Sequence, residues 1–176
     1  SPLNSGVSEY GAPMKHWTKI LISASALFSL CAQAAEVFSE MPSAIHPEER
    51  YVIFSHGLIA EGDDPKPVSP EFGVYDFPAI KEAIFADGGF NLVAHQRPKN
   101  TEILPYVATL ESWVLRLIEA GVSPSRITLV GFSRGSHLTA YASGRLKEYG
   151  INTALLASCS NGDICDGADR DHPAVH

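Results

Sequence analysis

The sequence predicts an α/β fold, a three-layer α/β/α sandwich around a mostly parallel sheet. Three observations predict it. Short apolar, β-prone runs recur near Tyr51, Phe90, Ile127 and Thr153. Stretches with apolar residues at helical spacing lie between them. The run from Arg126 to His137 passes from strand to helix through the tight sequence Gly131-Phe132-Ser133-Arg134-Gly135. Strand–helix alternation at this spacing gives parallel strands joined by right-handed crossovers.

Taken in order, Ala35 to Glu49 is mixed and irregular and is expected to wrap the domain edge. Tyr51-Val52-Ile53-Phe54-Ser55 is the first clear strand. His56-Gly57-Leu58 follows it directly, and Ile59 to Tyr75 is a long loop rich in Pro, Gly and acid. Loops of that length inside a compact domain are often functional, and this one is expected over the sheet edge where Ser133 emerges. Asp76 can cap the next helix, with Pro78 in its first turn and Phe77, Ile80 and Ile84 facing the sheet. Asp87-Gly88-Gly89 stops it, and Phe90 to Ala94 is the second strand. A longer helix starts near Pro105, buries Val107, Leu110, Val114 and Leu117, and ends at Gly121. Ile127, Leu129 and Val130 form a third strand covered on both faces. The helix after Ser133 is expected to reach Tyr149, where Gly150 stops it, and Thr153 to Ser158 is a fourth strand.

A chain of 176 residues suggests one domain. Its formal net charge of -7 argues against nucleic-acid binding and against anionic membrane surfaces. Residues 1–13 precede a plausible start at Met14 and read as upstream leader or readthrough. Residues 14–34 read as a Sec-type signal peptide, with Lys15 and Lys19 before the apolar run Ile20 to Leu30 and Ala32-Gln33-Ala34 as the cleavage site. The run is shorter than the roughly 20 apolar residues of a membrane span, and Leu30 before Cys31 is bulky for a lipoprotein signal. The mature chain, 35–176, is therefore expected to be periplasmic or secreted, without stable membrane insertion. In an oxidising compartment Cys159 and Cys165 could close a small loop or stand as two free thiols. A metal site is not expected, since there is no second Cys/His pair at ligand spacing.

Gly131-Phe132-Ser133-Arg134-Gly135 is a G-x-S-x-G pattern at a strand-to-helix junction, the nucleophile elbow. Such a turn strains the serine backbone and lifts the hydroxyl above the sheet, and side chains two residues before and after would collide. If the first strand lies between the second and the third, the strand order reverses between the first and third. Ligands of parallel sheets bind beyond the strand C-termini at such a reversal. His56-Gly57-Leu58 and Ser133 would then emerge side by side.

From Tyr51 to Ser158 these motifs and their order resemble the α/β-hydrolase family. The resemblance implies that Ser133 is the nucleophile. It implies that the backbone N–H groups of Leu58 and Arg134 form an oxyanion hole, with Gly57, Gly131 and Gly135 supporting the two turns. His56 would shape the oxyanion loop and would not be the base. The implied activity is hydrolysis of a small-molecule carboxylic ester through an acyl-enzyme, with no cofactor. A peptide or thioester bond, or a non-catalytic binding role on the same fold, are the alternatives.

The family supplies its acid and histidine after further strands, and this sequence ends before such strands can be drawn. The fourth strand would also be a bare apolar edge, which proteins normally cover. Both features lead to the expectation that 35–176 is the N-terminal portion of the domain and that the catalytic histidine lies downstream. Within the sequence, Asp163 or Asp166 with His172 or His176 meets the serine–acid–histidine order. His137 is expected to be a packing or surface residue, and His95 and Arg97 to brace loops. Asp163, Asp166, Asp169 and Asp171 miss the spacing of a calcium loop.

Overall fold

The computed structural model describes residues 35–158. The signal segment, Cys31, Cys159, Cys165, the acids Asp163, Asp166, Asp169 and Asp171, and the histidines His172 and His176 lie outside the described residues.

The elements run β1 (Val37–Phe38), β2 (Tyr51–Ser55), β3 (Val68–Ser69), β4 (Gly73–Val74), α1 (Phe77–Phe85), β5 (Asn91–Val93), α2 (Ile103–Glu119), β6 (Ile127–Phe132), α3 (Arg134–Arg145) and β7 (Asn152–Leu156). Five strands make one sheet in the order β1-β5-β2-β6-β7, and every neighbouring pair in it is parallel. The small antiparallel hairpin β3–β4 stands apart. Two short 3-10 turns, Leu58–Ala60 and Pro124–Arg126, precede or follow strands, and a third, Lys147–Tyr149, follows α3.

Alternation along the strands separates two cores. Tyr51, Ile53, Val93, Ile127 and Leu129 point to one face and pack with Val107, Leu110, Val114 and Leu117 of α2 and Leu138 and Ala142 of α3. Phe54, Leu92 and Ala94 point to the other face, with Val52, Val130 and Phe132, and pack with Phe77, Ile80 and Ile84 of α1. The period-two pattern in strands and the 3.6-residue pattern in helices thus meet as a sheet with a helix layer on each face.

The helix ends follow from local chemistry. Asp76 Oδ1 accepts the Ala79 N–H at 3.0 Å, capping α1. At the end of α2, Gly121 takes φ +93°, its N–H reaches Ile118 O at 2.9 Å and the Val122 N–H reaches Leu117 O at 3.0 Å. This is the Schellman closure, which requires a left-handed residue after the cap.

Some boundaries differ from the sequence expectation. Residues 35–49 are not wholly irregular, because Val37–Phe38 pairs with Leu92 and Val93 as strand β1. The helix after Ser133 ends at Arg145, and the chain reaches Gly150 through the 3-10 turn Lys147–Tyr149. The loop from 59 to 75 is built as a 3-10 turn and a hairpin. Gln96 Nε2 ties it down by donating to Ala60 O at 3.2 Å and Asp64 O at 2.7 Å.

Candidate active site

Strand β2 lies between β5 and β6, so the chain crosses to one side of β2 and then to the other. The order reverses between β2 and β6, the place where parallel sheets open a crevice at their carboxyl ends. Ser55 pairs with Gly131 in that register. The segments leaving the two strands therefore start level with each other, His56-Gly57-Leu58 from β2 and Ser133 from β6.

Ser133 has φ 53° and ψ -122°. A non-glycine residue at positive φ outside the left-handed helical well is strained by roughly 1–3 kcal/mol and persists only where its surroundings enforce it. The enforcement is visible on each side. A Cβ on Gly131 would lie 2.5 Å from both Gly135 O and Ser136 Cα. A Cβ on Gly135 would lie 1.9 Å from Ser55 O and 2.6 Å from His56 O. The N-terminus of α3 therefore sits directly on the ends of β2 and β6, and only glycines allow that approach. The Ser133 N–H donates to Leu156 O of β7 at 2.9 Å, and the Ser136 N–H returns to Ser133 O at 2.8 Å. Ser136, fully buried, places its Oγ 2.7 Å from both Gly131 O and Leu156 O and accepts the Leu156 N–H at 3.1 Å. It locks the elbow to β7, a role that the sequence pattern does not reveal although Ser136 directly follows the motif.

Opposite the elbow, Gly57 is in contact range: a Cβ placed there would be 3.6 Å from Ser133 Cβ and 3.4 Å from the Phe132 ring. Leu58 opens a 3-10 turn and Arg134 opens α3. The first N–H groups of such turns have no carbonyl partner within their own helix, and both turns start beyond the carboxyl ends of the neighbouring strands β2 and β6. Leu58 keeps its side chain exposed. Tyr75, at the end of the long loop, lies with its ring centroid 6.3 Å from that of Phe132. Burial pushes the Tyr75 hydroxyl above its usual pKa, with the Gly57 backbone acting in the opposite sense.

His56 is fully buried. Its Nδ1–H donates to Gly57 O at 2.7 Å and its Nε2 accepts the Arg97 N–H at 2.8 Å. These partners fix the neutral tautomer protonated on Nδ1. Burial, then the Arg97 charge, lowers its pKa to about 4. With both nitrogens committed, His56 shapes the loop and has no free electron pair to act as a base.

Arg97, expected to brace loops, is completely buried. Its Nη2 donates to His56 O at 2.5 Å, its carbonyl accepts the Gly62 N–H at 2.8 Å, and its guanidinium stands 5.2 Å from the centre of the Tyr106 ring. Glu61 faces it from the loop after β2, with Oε1 3.4 Å from Arg97 Nε and 3.3 Å from Arg134 Nε. Nothing in the local sequence marks Glu61 for this place.

The other histidines of the described residues are occupied elsewhere. His95 Nδ1 pairs with Glu40 Oε1 at 2.6 Å, and its ring packs beside Tyr106 and Trp113. His46 lines a cavity of about 350 Å³ with Tyr51 and Asn91, at the opposite end of the strands. His137 is half-buried on α3. Among the described residues, no histidine ring is hydrogen-bonded to Ser133. Nor does any group of three or more His, Cys, Asp or Glu among them gather as a metal site, and none of their helices is long and apolar enough to cross a membrane.

Fold and site together define an α/β protein with a parallel sheet and a strained serine at its switch point. Compared with protein-family models and with curated proteins, the chain matches none.

Proposed function

We propose that this chain is an exported serine hydrolase of the α/β-hydrolase type, cleaving a carboxylic ester through an acyl-enzyme on Ser133. The observation that carries the reading is the backbone of Ser133, held at φ 53° between two glycines that leave no room for a Cβ. Strain of this kind at a sheet switch point is costly, and an attacking hydroxyl is a reason to retain it. In the first half of the reaction the Oγ–H proton passes to a base while Oγ bonds to the ester carbonyl carbon. The carbonyl π pair moves to oxygen, where the amides of Leu58 and Arg134 receive the developing charge. Collapse expels the alcohol, which takes the proton. Water then repeats the sequence and releases the acid. Each donor of such a pair typically contributes about 3 kcal/mol to the transition state.

The base is proposed to come from outside residues 35–158, with His172 and the acids Asp163 and Asp166 as the candidates within this sequence. The commitment of His56 to Gly57 and Arg97 favours that assignment and also sustains a second reading, a hydrolase-fold binding protein without turnover. A fluorophosphonate probe on the full-length protein separates them. The hydrolase reading expects stoichiometric labelling that Ser133→Ala abolishes. Labelling that survives Ser133→Ala, or none at all, counts against it.

A further inference from the structure

The two amides of the proposed oxyanion hole belong to segments 76 residues apart, one after β2 and one after β6, as the numbers of Leu58 and Arg134 state. A hole works only if both donors reach the same oxygen at about 2.7–3.1 Å. Something must hold the two segments in register, and the pairing of β2 with β6 ends at Ser55 and Gly131.

We infer that Glu61 is the positioning residue that clamps the two halves of this hole together, an inference that rests on the hydrolase reading. Three observations join at this residue. Its N–H donates to Leu58 O at 3.0 Å and closes the 3-10 turn that aims the Leu58 amide. Its carboxylate, only 3% exposed, meets the guanidinium of Arg134 through Oε1 and Arg134 Nε at 3.3 Å. Arg134 carries the second amide of the hole. The same Oε1 meets Arg97 Nε at 3.4 Å, and Arg97 grips the loop at His56 Nε2, His56 O and Gly62 N. One carboxylate thus bridges the residue that follows the nucleophile and the arginine that staples the opposite loop.

The charge arrangement explains why an acid is needed there. Without the carboxylate, the Arg97 and Arg134 guanidiniums would face a common centre with like charge and no counter-ion. Arg134 has an exit, because its side chain is 31% exposed, whereas Arg97 is sealed. Loss of the carboxylate would therefore let Arg134 swing outward, keeping only its Nη2 contact to Thr101 O at 2.9 Å. The elbow would lose its ion-pair tie to the oxyanion loop while the glycine packing and the sheet beneath stay in place. Misplacing a catalytic donor by about 1 Å can cost on the order of 100-fold in rate.

The test is a double-mutant cycle on the full-length protein with p-nitrophenyl acetate, the variants being Glu61→Gln, Arg134→Met and both together. Competent sites are counted by fluorophosphonate end-point labelling, and kcat is expressed per labelled site. The inference expects kcat to fall by about 10- to 100-fold in each single variant, with KM within about twofold. The double variant should be no slower than the worse single one, because both changes cut the same link. A merely structural Glu61 would lower the melting temperature and the number of sites while leaving kcat per site unchanged, and that result overturns the inference. Multiplicative losses in the double variant overturn it as well. If Glu61→Gln does not fold, Arg134→Met, at its partly exposed position, decides alone by the same kcat-per-site criterion. Ser133-dependent labelling with unaltered kcat in the variants would sink the clamp and leave the hydrolase standing; absence of that labelling in the unmodified protein removes both.

Discussion

Acid should destabilise this protein through His56. The ring is fully buried and its folded pKa is lowered to about 4 from the ordinary 6.5. Burial is the main cause and the neighbouring Arg97 charge the second. A depressed histidine pKa means that the unfolded chain binds the proton more readily than the folded one. The contribution of the neutral ring is fully present above the unfolded pKa and is lost as pH falls from about 6.5 to about 4. At 1.36 kcal/mol per pKa unit, the difference corresponds to about 3 kcal/mol between pH 7 and pH 4. That is a large share of the roughly 5–15 kcal/mol that holds a domain together. Urea denaturation at half-unit pH steps measures it, with His56→Gln as the reference. Glutamine stays neutral at every pH and its amide oxygen can still accept the Arg97 N–H, so carboxylate titrations common to both proteins cancel. The unmodified protein should lose about 3 kcal/mol more than His56→Gln on going from pH 7 to pH 4. Parallel stability curves would refute the assignment of a buried, neutral His56.

The strain at Ser133 gives a second prediction. Ser133→Gly should be more stable than Ser133→Ala by about 1 kcal/mol in denaturant midpoints, since glycine relieves the positive φ and only part of the gain is lost to unfolded-chain entropy; both should fail to label. Two glycines of α3 should respond with opposite sign. Gly135→Ala places a methyl 1.9 Å from Ser55 O and should cost more than about 3 kcal/mol. Gly144→Ala meets nothing within 4 Å and should raise stability by up to about 1 kcal/mol in thermal or urea unfolding.

Features written in local sequence are legible without the fold. Asp76 capping α1, Gly121 closing α2 and the two glycines around Ser133 each follow from the needs of a few neighbouring residues. The adjacency of His56-Gly57-Leu58 and Ser133 followed from topology, because a parallel sheet with β2 between β5 and β6 leaves one switch point. The rest was hidden because its cause is distant in sequence. Val37–Phe38 is a strand only because the free edge of β5 accepts it, and two residues carry no period. The hairpin of Val68–Ser69 and Gly73–Val74 is equally short. Arg97, in Gln96-Arg97-Pro98-Lys99-Asn100, is legible as a loop brace, but its burial is not, and Glu61, in Glu61-Gly62-Asp63-Asp64, reads as part of an acidic loop. Each is buried because the other is its counter-ion, and a charged residue does not announce its partner. Ser136 was hidden for the same reason, since its β7 partner lies 20 residues onward.

The central claim is that one serine hydroxyl faces two particular backbone amides. A crystal structure of the full-length protein after reaction with a fluorophosphonate measures this directly. Phosphorus should be bonded to Ser133 Oγ, with the phosphonyl oxygen about 2.7–3.1 Å from both the Leu58 and the Arg134 nitrogens. A phosphonyl oxygen turned to solvent, or an adduct on another residue, would contradict it.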